Sequence, residues 1–315
     1  MKIKTERKVN QSASKFWHTL KKYYGFYIML LLPVVYLIVF KYIPMLGNVL
    51  AFRRYTASAP LFGVEWVGFY YFEQFITSSD FWRIFFNTLI LSVETLLFSF
   101  PLPIIFALLL NELKNIKFKK FVQTASYLPH FISTVVVVGM IMSILSVDSG
   151  MVNTIRKAMG LEAISFMNSP DYFRPIYIIS EIWQHLGWNA ILYIAALSSI
   201  DVELYDAAMV DGANRWQQTW AVTIPGIMPT IIITLILAVG NAINVGFEKV
   251  LLLSNDLNRE TADVISTYVY RIGLASTVPN YSLSTAIGLF QAVIGLVLVG
   301  SANYISNKIS DTSLW

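Results

Sequence analysis

Six long apolar runs separated by polar stretches set the pattern of this chain. Their approximate limits are 25–46, 82–110, 124–146, 174–198, 226–250 and 282–306. About 20 residues of helix cross the roughly 30 Å hydrocarbon layer of a bilayer, so each run is long enough to span it. Several runs hold Pro or Gly (Pro33, Pro101, Pro103, Gly187, Gly240, Gly295), which membrane helices tolerate where neighbours re-satisfy the backbone. The pattern predicts an all-α membrane protein with six transmembrane helices.

One polar stretch between the fourth and fifth runs stands out. It reads Leu204-Tyr205-Asp206-Ala207-Ala208-Met209-Val210-Asp211-Gly212-Ala213 and, after nine intervening residues from the Gly, Val222-Thr223-Ile224-Pro225. Asp206 to Val210 are good helix formers, and Gly212 permits a turn that a residue with a Cβ resists. Beyond it Ala213, Trp216, Trp220 and Ile224 recur at helical spacing, an apolar stripe of a second short helix. Pro225 is then expected to open the next apolar segment, where its missing N–H does no harm.

This stretch resembles the EAA loop of ABC importer permeases, in which Glu-Ala-Ala, three residues, Gly, nine residues and Ile-x-Leu-Pro follow one another. Asp206-Ala207-Ala208, Asp211-Gly212-Ala213 and Val222-Thr223-Ile224-Pro225 fill those places in register. Asp206 departs from the usual Glu; it keeps the charge and shortens the reach by a methylene. Over nearly the whole chain the sequence is similar to carbohydrate-importer permeases of the complex-polysaccharide branch. Asn87-Thr88-Leu89, Tyr127-Leu128-Pro129, Asn303-Tyr304 and the Ser313-Leu314-Trp315 tail carry the shorter matches. The resemblance implies a MetI-like permease fold with a cytoplasmic coupling helix. It implies partners too: a second, homologous permease chain, a dimeric ABC ATPase that binds Mg-ATP, and an extracellular solute-binding protein. An oligosaccharide or polysaccharide fragment is the implied cargo. The residues that would meet the ATPase are Tyr205, Asp206, Ala207, Ala208, Asp211, Gly212, Ala213, Trp216 and Pro225.

Composition agrees with a lipid solvent. Hydrophobic residues make up 56% of the 315 and charged ones 13%, against roughly 25% charge in soluble domains. Cysteine is absent, which excludes disulfides and thiolate chemistry. The basic leader of 24 residues is too long for a cleavable signal peptide, and no small-x-small site follows the first run. With the N-terminus inside, inner segments hold 13 Lys and Arg and outer segments eight. Lys114, Lys117, Lys119 and Lys120 crowd one short inner loop, where the positive-inside bias acts most strongly. The same orientation puts the Asp206–Pro225 loop and both termini in the cytoplasm, in a multi-pass cytoplasmic-membrane protein. Four segments result: a basic leader (1–24), the first span and its outer loop (25–80), a core of five spans (81–306) that includes the loop 201–225, and a tail (307–315).

No phosphate-binding G-x-x-x-x-G-K-[ST] loop and no strand-following G-x-G-x-x-G occurs, so no ATP hydrolysis, no bound cofactor and no catalytic residue are expected of this chain itself. Nor is a nucleic-acid partner expected. His18, His130 and His185 fall in different segments without metal-ligand spacing. His130 reads as a packing histidine rather than a ligand. Two rival classes remain beside the importer: an ion-coupled secondary transporter of a small polar solute, lacking here any visible inverted repeat, and a membrane-embedded hydrolase, lacking a G-x-S-x-G elbow.

Polar residues inside spans are costly, roughly 2.5–3.5 kcal/mol for a central charge, and so mark candidate sites. Glu181, Gln184, His185 and Trp188 form one helical stripe in the fourth run; Asn241, Asn244 and Glu248 form another in the fifth. Amides and carboxylates bond sugar hydroxyls, and Trp offers an apolar face to a sugar ring. The alternative is interhelical bonding at roughly 0.6 kcal/mol per contact. Glu94, midway through the second run, reads equally as a pathway residue or a packing partner; Gln291 and Asn303 are weaker candidates. In the outer loops Phe52, Tyr55, Trp66, Phe69, Tyr70, Tyr71, Phe72, Tyr268, Tyr270 and Tyr281 suit an interfacial belt or a docking surface equally.

Overall fold

A computed structural model describes residues 21–56, 60 and 62–309. The basic leader before residue 21 and the tail from residue 310 lie outside the described residues. The chain divides into two compact units, Met1–Gly68 and Phe69–Trp315.

The first unit holds one continuous helix, α1 (Tyr24–Phe52), 29 residues long. It passes through a π turn at Ile38–Tyr42 and ends as a 3₁₀ helix at Leu46–Phe52. Apolar residues occupy every side of its α-helical part, Tyr24–Leu37, and none of them is buried. A two-stranded antiparallel ribbon follows, β1 (Arg53–Arg54) with β2 (Glu65–Trp66), paired Arg53 to Trp66. Phe52 stacks on Trp66 with ring centroids 5.6 Å apart.

The second unit is all helical among its described residues. Short α2 (Tyr70–Ile76) leads to α3 (Phe81–Asn111), which runs unbroken through Pro101 and Pro103. Next come α4 (Ile116–Tyr127), extended by a 3₁₀ turn Leu128–Phe131, and α5 (Thr134–Leu145). The amphipathic α6 (Met151–Ala158), the 29-residue α7 (Pro170–Ser198) and α8 (Val202–Val210) follow. Then come α9 (Arg215–Ala242), α10 (Phe247–Leu253), α11 (Arg259–Ala262), α12 (Ile265–Gly273) and α13 (Tyr281–Ile309).

The apolar runs become helices, with three corrections. Ile116–Phe131 and Thr134–Leu145 are bent by 99° at their junction, so the third run is not one straight span. Ile132 and Ser133 leave helical geometry there, and the Ser133 hydroxyl caps α5 through Val136 N–H. The fifth run breaks after Ala242 and restarts at Phe247. And the stripe Ala213–Ile224 does not form a separate short helix: α9 starts at Arg215 and enters the membrane run through a π turn, Thr219–Thr223. Pro225 stands in the first turn of the α-helical run Ile224–Ala242, so it opens the apolar segment as expected, although the π turn joins that run to the helix before it.

Among the described residues, α1, α3, α9 and Tyr281–Lys308 are long and apolar enough to cross a bilayer, and the bent pair makes a fifth if counted as one. Helix α7 has the length, but Asp171, Arg174, Glu181, Gln184, His185 and Asn189 interrupt its hydrocarbon.

Packing is close where side chains are small, as expected of helices in lipid. A Cβ on Gly187 of α7 would stand 2.3 Å from the Ser126 carbonyl oxygen of α4, so those helices nearly touch backbone to backbone. Ala107, Ala190, Tyr193, Leu197 and Ile227 tie α3, α7 and α9 into one apolar cluster. A second cluster, Phe75, Phe81, Ile84, Ile265 and Ile287, joins α2, α3, α12 and α13. Polar bonds hold the α11–α12 segment to α3. Asn87 donates to the Glu260 and Asp263 carbonyls at 2.7 and 3.2 Å, and Ile265 N–H donates to Thr88 Oγ1 at 2.9 Å. Asp263, 2% exposed, accepts both terminal nitrogens of Arg271 at 3.0 and 2.7 Å and faces Arg83 at 3.5 Å.

Candidate functional site

Helices α3, α7 and α9 enclose a cavity of about 480 Å³ that runs down to the break after α9. Its polar wall comprises Ser92, Thr95, Ser99, Glu181, His185 and Asn189, closed on the third side by Asn241, Asn244 and Gly246. A second cavity of about 430 Å³ adjoins it, shares Ser99, Phe100, Asn189 and Ala238, and is lined by Trp188, Tyr193 and Thr234 as well. The Thr95 and Ser99 hydroxyl oxygens are buried without a hydrogen-bond partner among the described residues. Buried polar groups are otherwise nearly always bonded, so this wall has unused bonding capacity.

The helix break is built, not frayed. Non-helical backbone at membrane depth survives only where protein or a polar cavity satisfies it. Here Gln291 of α13 donates to the Ile243 carbonyl at 2.9 Å and to Asn244 Oδ1 at 3.2 Å. The Gly246 N–H donates to the Tyr177 phenol oxygen at 3.1 Å, and a Cβ at Gly246 would press to 2.9 Å from that oxygen. The break separates Asn241 from Glu248, so Asn241, Asn244 and Glu248 are not one helical stripe. Asn241 and Asn244 face the cavity; Glu248 is exposed in the first turn of α10.

Glu181 meets Lys249, not Glu248. Lys249 Nζ donates to Glu181 Oε2 at 2.6 Å, and Lys249 is only 4% exposed. The other carboxylate oxygen lies 3.4 Å from His185 Nε2, and His185 Nδ1 lies 3.0 Å from His130 Nδ1. His130 in turn stacks flat on Trp188, centroids 4.2 Å apart and planes at 5°. Of the α7 stripe, then, Glu181 and His185 line the larger cavity and Trp188 the smaller. Gln184 points away: buried at 3%, it donates to the Ile132 carbonyl at the 99° bend. Glu94 lines neither cavity, and its Oε2 is buried without a partner among the described residues. No metal-binding cluster occurs among the described residues. Sequence reasoning missed the joining of His130 and Lys249 to this site; the Pro129 before His130 was the only local sign of a bend there.

The polar loop folds as a helix, a turn and a second helix. Asp201 caps α8 by accepting from Glu203 N–H at 3.0 Å. Gly212 carries the turn at φ +79°, in the left-handed region, and Asn214 and Gln217 form a reciprocal capping box at the start of α9. The Tyr205 hydroxyl lies 3.0 Å from Thr223 Oγ1, which pins α8 against α9. Tyr205 and Ala208 are half-buried and Ala213 is partly covered. Asp206, Ala207, Asp211, Gly212 and Trp216 are exposed, as are the apolar Val202, Leu204, Met209 and Val210.

Residues 85–311 match the model of the family described as binding-protein-dependent transport system inner membrane component. The chain belongs to that family. It is the permease of an ABC importer. This permease is 43% identical over 296 residues to protein LplB of Bacillus subtilis (strain 168), an alignment covering 94% of this chain and 92% of that one. It is also 43% identical over 289 residues to the polygalacturonan/rhamnogalacturonan transport system permease protein YteP of the same organism, covering 92% and 89%. Among solved structures it resembles a chain of a bacterial ABC transporter involved in the import of the acidic polysaccharide alginate, at TM-score 0.86 and 43% identity, covering 94% of this permease and 99% of that chain. A second structure of such a transporter, in complex with an alginate pentasaccharide-bound periplasmic protein, matches equally at 0.86. The permease is thus a member of a multi-pass membrane family, which accounts for its several apolar helices.

Proposed function

We propose that this permease forms half of a pathway for an oligosaccharide or polysaccharide fragment, handed over by a solute-binding protein. The bent α4–α5 pair and the polar α7 count as spans three and four, which makes six. Both termini and the α8 loop lie in the cytoplasm. The second wall of the pathway belongs to a homologous permease chain, and Mg-ATP is bound and hydrolysed by a dimeric ATPase. Helix α8, with Asp206, Ala207, Ala208 and Asp211 before the Gly212 turn, is the piece that enters the ATPase. Its exposed apolar side chains support this reading, because an isolated surface helix of a soluble loop would keep them covered.

The observation that carries the cargo assignment is the polar wall. Two unpartnered hydroxyls, three amides and a carboxylate face one cavity, beside an indole. That set bonds a ligand rich in hydroxyls. Two relatives are named for acidic polysaccharides, alginate and polygalacturonan, which makes uronate-containing fragments the first to test. The test is uptake by proteoliposomes containing the complete transporter, with a panel of neutral and acidic oligosaccharides. ATP-dependent uptake of an oligosaccharide, lowered several-fold by Asn244→Ala without loss of assembly, is expected. Uptake that survives ATP depletion and collapses with the proton gradient would replace this proposal with ion coupling.

A further inference from the structure

Among the described residues, the two adjoining cavities are lined by one carboxylate, Glu181, and by no lysine or arginine. A lone negative charge in a low-dielectric wall repels an approaching anion, a poor fit to a uronate-containing fragment. Lys249 changes that charge from behind. It is 4% exposed and absent from the lining, whereas the Glu181 side chain is 25% exposed and lines the larger cavity. Lys249 Nζ donates to Glu181 Oε2 at 2.6 Å and lies 5.9 Å over the ring of Tyr177, also a lining residue. The Gly246 N–H holds that ring by donating to its phenol oxygen at 3.1 Å.

The helix break puts the lysine in this place. Carried on from Asn244 as one α-helix, the chain would set Lys249 about 140° around the axis from that residue. Instead the helix stops at Ala242 and restarts at Phe247, and Lys249 returns to α7 as the partner of Glu181. No other described carboxylate reaches the wall: Glu248 is exposed outside the lining, and Glu94 lines neither cavity. His185, 3.4 Å from the second carboxylate oxygen, adds no charge at about pH 8, above the ordinary imidazole range.

We infer that Lys249 sets the charge of the cavity wall: by neutralising Glu181 from behind, without touching the cargo, it keeps the wall open to acidic oligosaccharides. Its consequence for transport rests on the uronate cargo proposed above; the charge of the wall does not. Because the chain has no cysteine, Asn241→Cys places one thiol on the exposed cavity lining. In the assembled transporter in nanodiscs, at about pH 8 and low salt, that thiol is reacted with sulfonatoethyl and trimethylammonioethyl methanethiosulfonates. The two reagents are an anion and a cation of similar size, and the mass of this chain reports each rate. Adding Lys249→Met leaves Glu181 bare and is expected to lower the anion-to-cation rate ratio about ten-fold. Glu181→Gln with Lys249→Met makes the wall neutral again and should restore the ratio to within about two-fold of the Asn241→Cys parent. At about 1 M salt, where screening acts within about 3 Å, the Lys249→Met effect should shrink, as a change of shape would not. If Lys249→Met fails to assemble, Asn244→Asp takes its place, since it keeps the acceptor for Gln291. Asn244→Asp sets a carboxylate with no lysine behind it on the same wall and should lower the ratio equally, while the neutral double variant still matches the parent. In uptake, with Asn241 intact, oligogalacturonate relative to its uncharged methyl ester should fall in parallel, each divided by the wild-type value. An unchanged rate ratio in Lys249→Met or its substitute, a fall that persists at high salt, or a double variant that stays low would overturn the inference. Failure of the wild type to take up any oligosaccharide would remove the cargo reading alone, with the thiol rates deciding this one.

Discussion

The cavity wall and the α8 loop are both polar islands in an apolar chain, yet they treat their polar groups in opposite ways. Around the cavity the Thr95 and Ser99 hydroxyls stay unpartnered, but the charged groups and the broken backbone are bonded within the chain: Glu181 to Lys249, Gln291 to the Ile243 carbonyl, Tyr177 to Gly246, His130 to His185. In the loop the backbone is capped with equal care at Asp201 and Asn214, but the side chains of Asp206, Met209, Val210 and Trp216 project into the open. The contrast separates a surface shaped by its own fold from one shaped for another molecule. Internal pairing fixes a geometry; exposed apolar residues on a rigid frame present one.

Substitutions that break internal pairing should damage the protein itself, most of all where backbones touch. Gly187→Leu would drive a side chain into the Ser126 carbonyl; loss of the monodisperse, folded permease on size exclusion is the expected outcome. Asp263→Ala removes the buried partner of Arg271, whereas Arg83 keeps Asp80 at 2.7 Å; the solvent that reaches both arginines makes the loss smaller than for a fully buried pair. A fall in melting temperature of the purified subunit checks this, and an unchanged value would show that the α11–α12 segment is held by its apolar contacts instead. In the loop the prediction inverts. A Cβ at Gly212 would meet nothing within 4 Å, but Gly212→Trp imposes a side chain at φ +79°, a strain of about 1–2 kcal/mol. Membrane insertion should survive while co-purification with the ATPase is lost; retention of the ATPase would move the coupling surface elsewhere. Smallest of all is Arg215→Ala. It removes an exposed 3.0 Å ion pair with Glu112, worth under about 1 kcal/mol, and thermal stability should barely change.

The loop was the most legible part of the fold because its determinants are local. A run of helix formers, a Gly at the turn and a spaced Trp pair can be read within 25 residues. The positions of the apolar helices were legible for the same reason. The breaks were not. The gap after Ala242 is stabilised by Gln291 and Tyr177, 48 and 69 residues away from the atoms they bond, and no periodicity within the fifth run announces it. His130 looked like packing because its partners, His185 and Trp188, sit on another helix. Pro225 does mark the start of the α-helical run Ile224–Ala242, but nothing local announced the π turn that joins this run to the helix before it.

Helix α1 adds a consequence of its own. Apolar side chains surround its α-helical stretch from Tyr24 to Leu37 on all sides, so solvation by acyl chains is the same whichever way it is spun about its axis. Greasiness can tell such a rod how deep to sit but not which way to face. Its azimuth must be set by shape, through knobs and hollows on whatever it lies against, and swapping equally oily residues of different bulk should turn it.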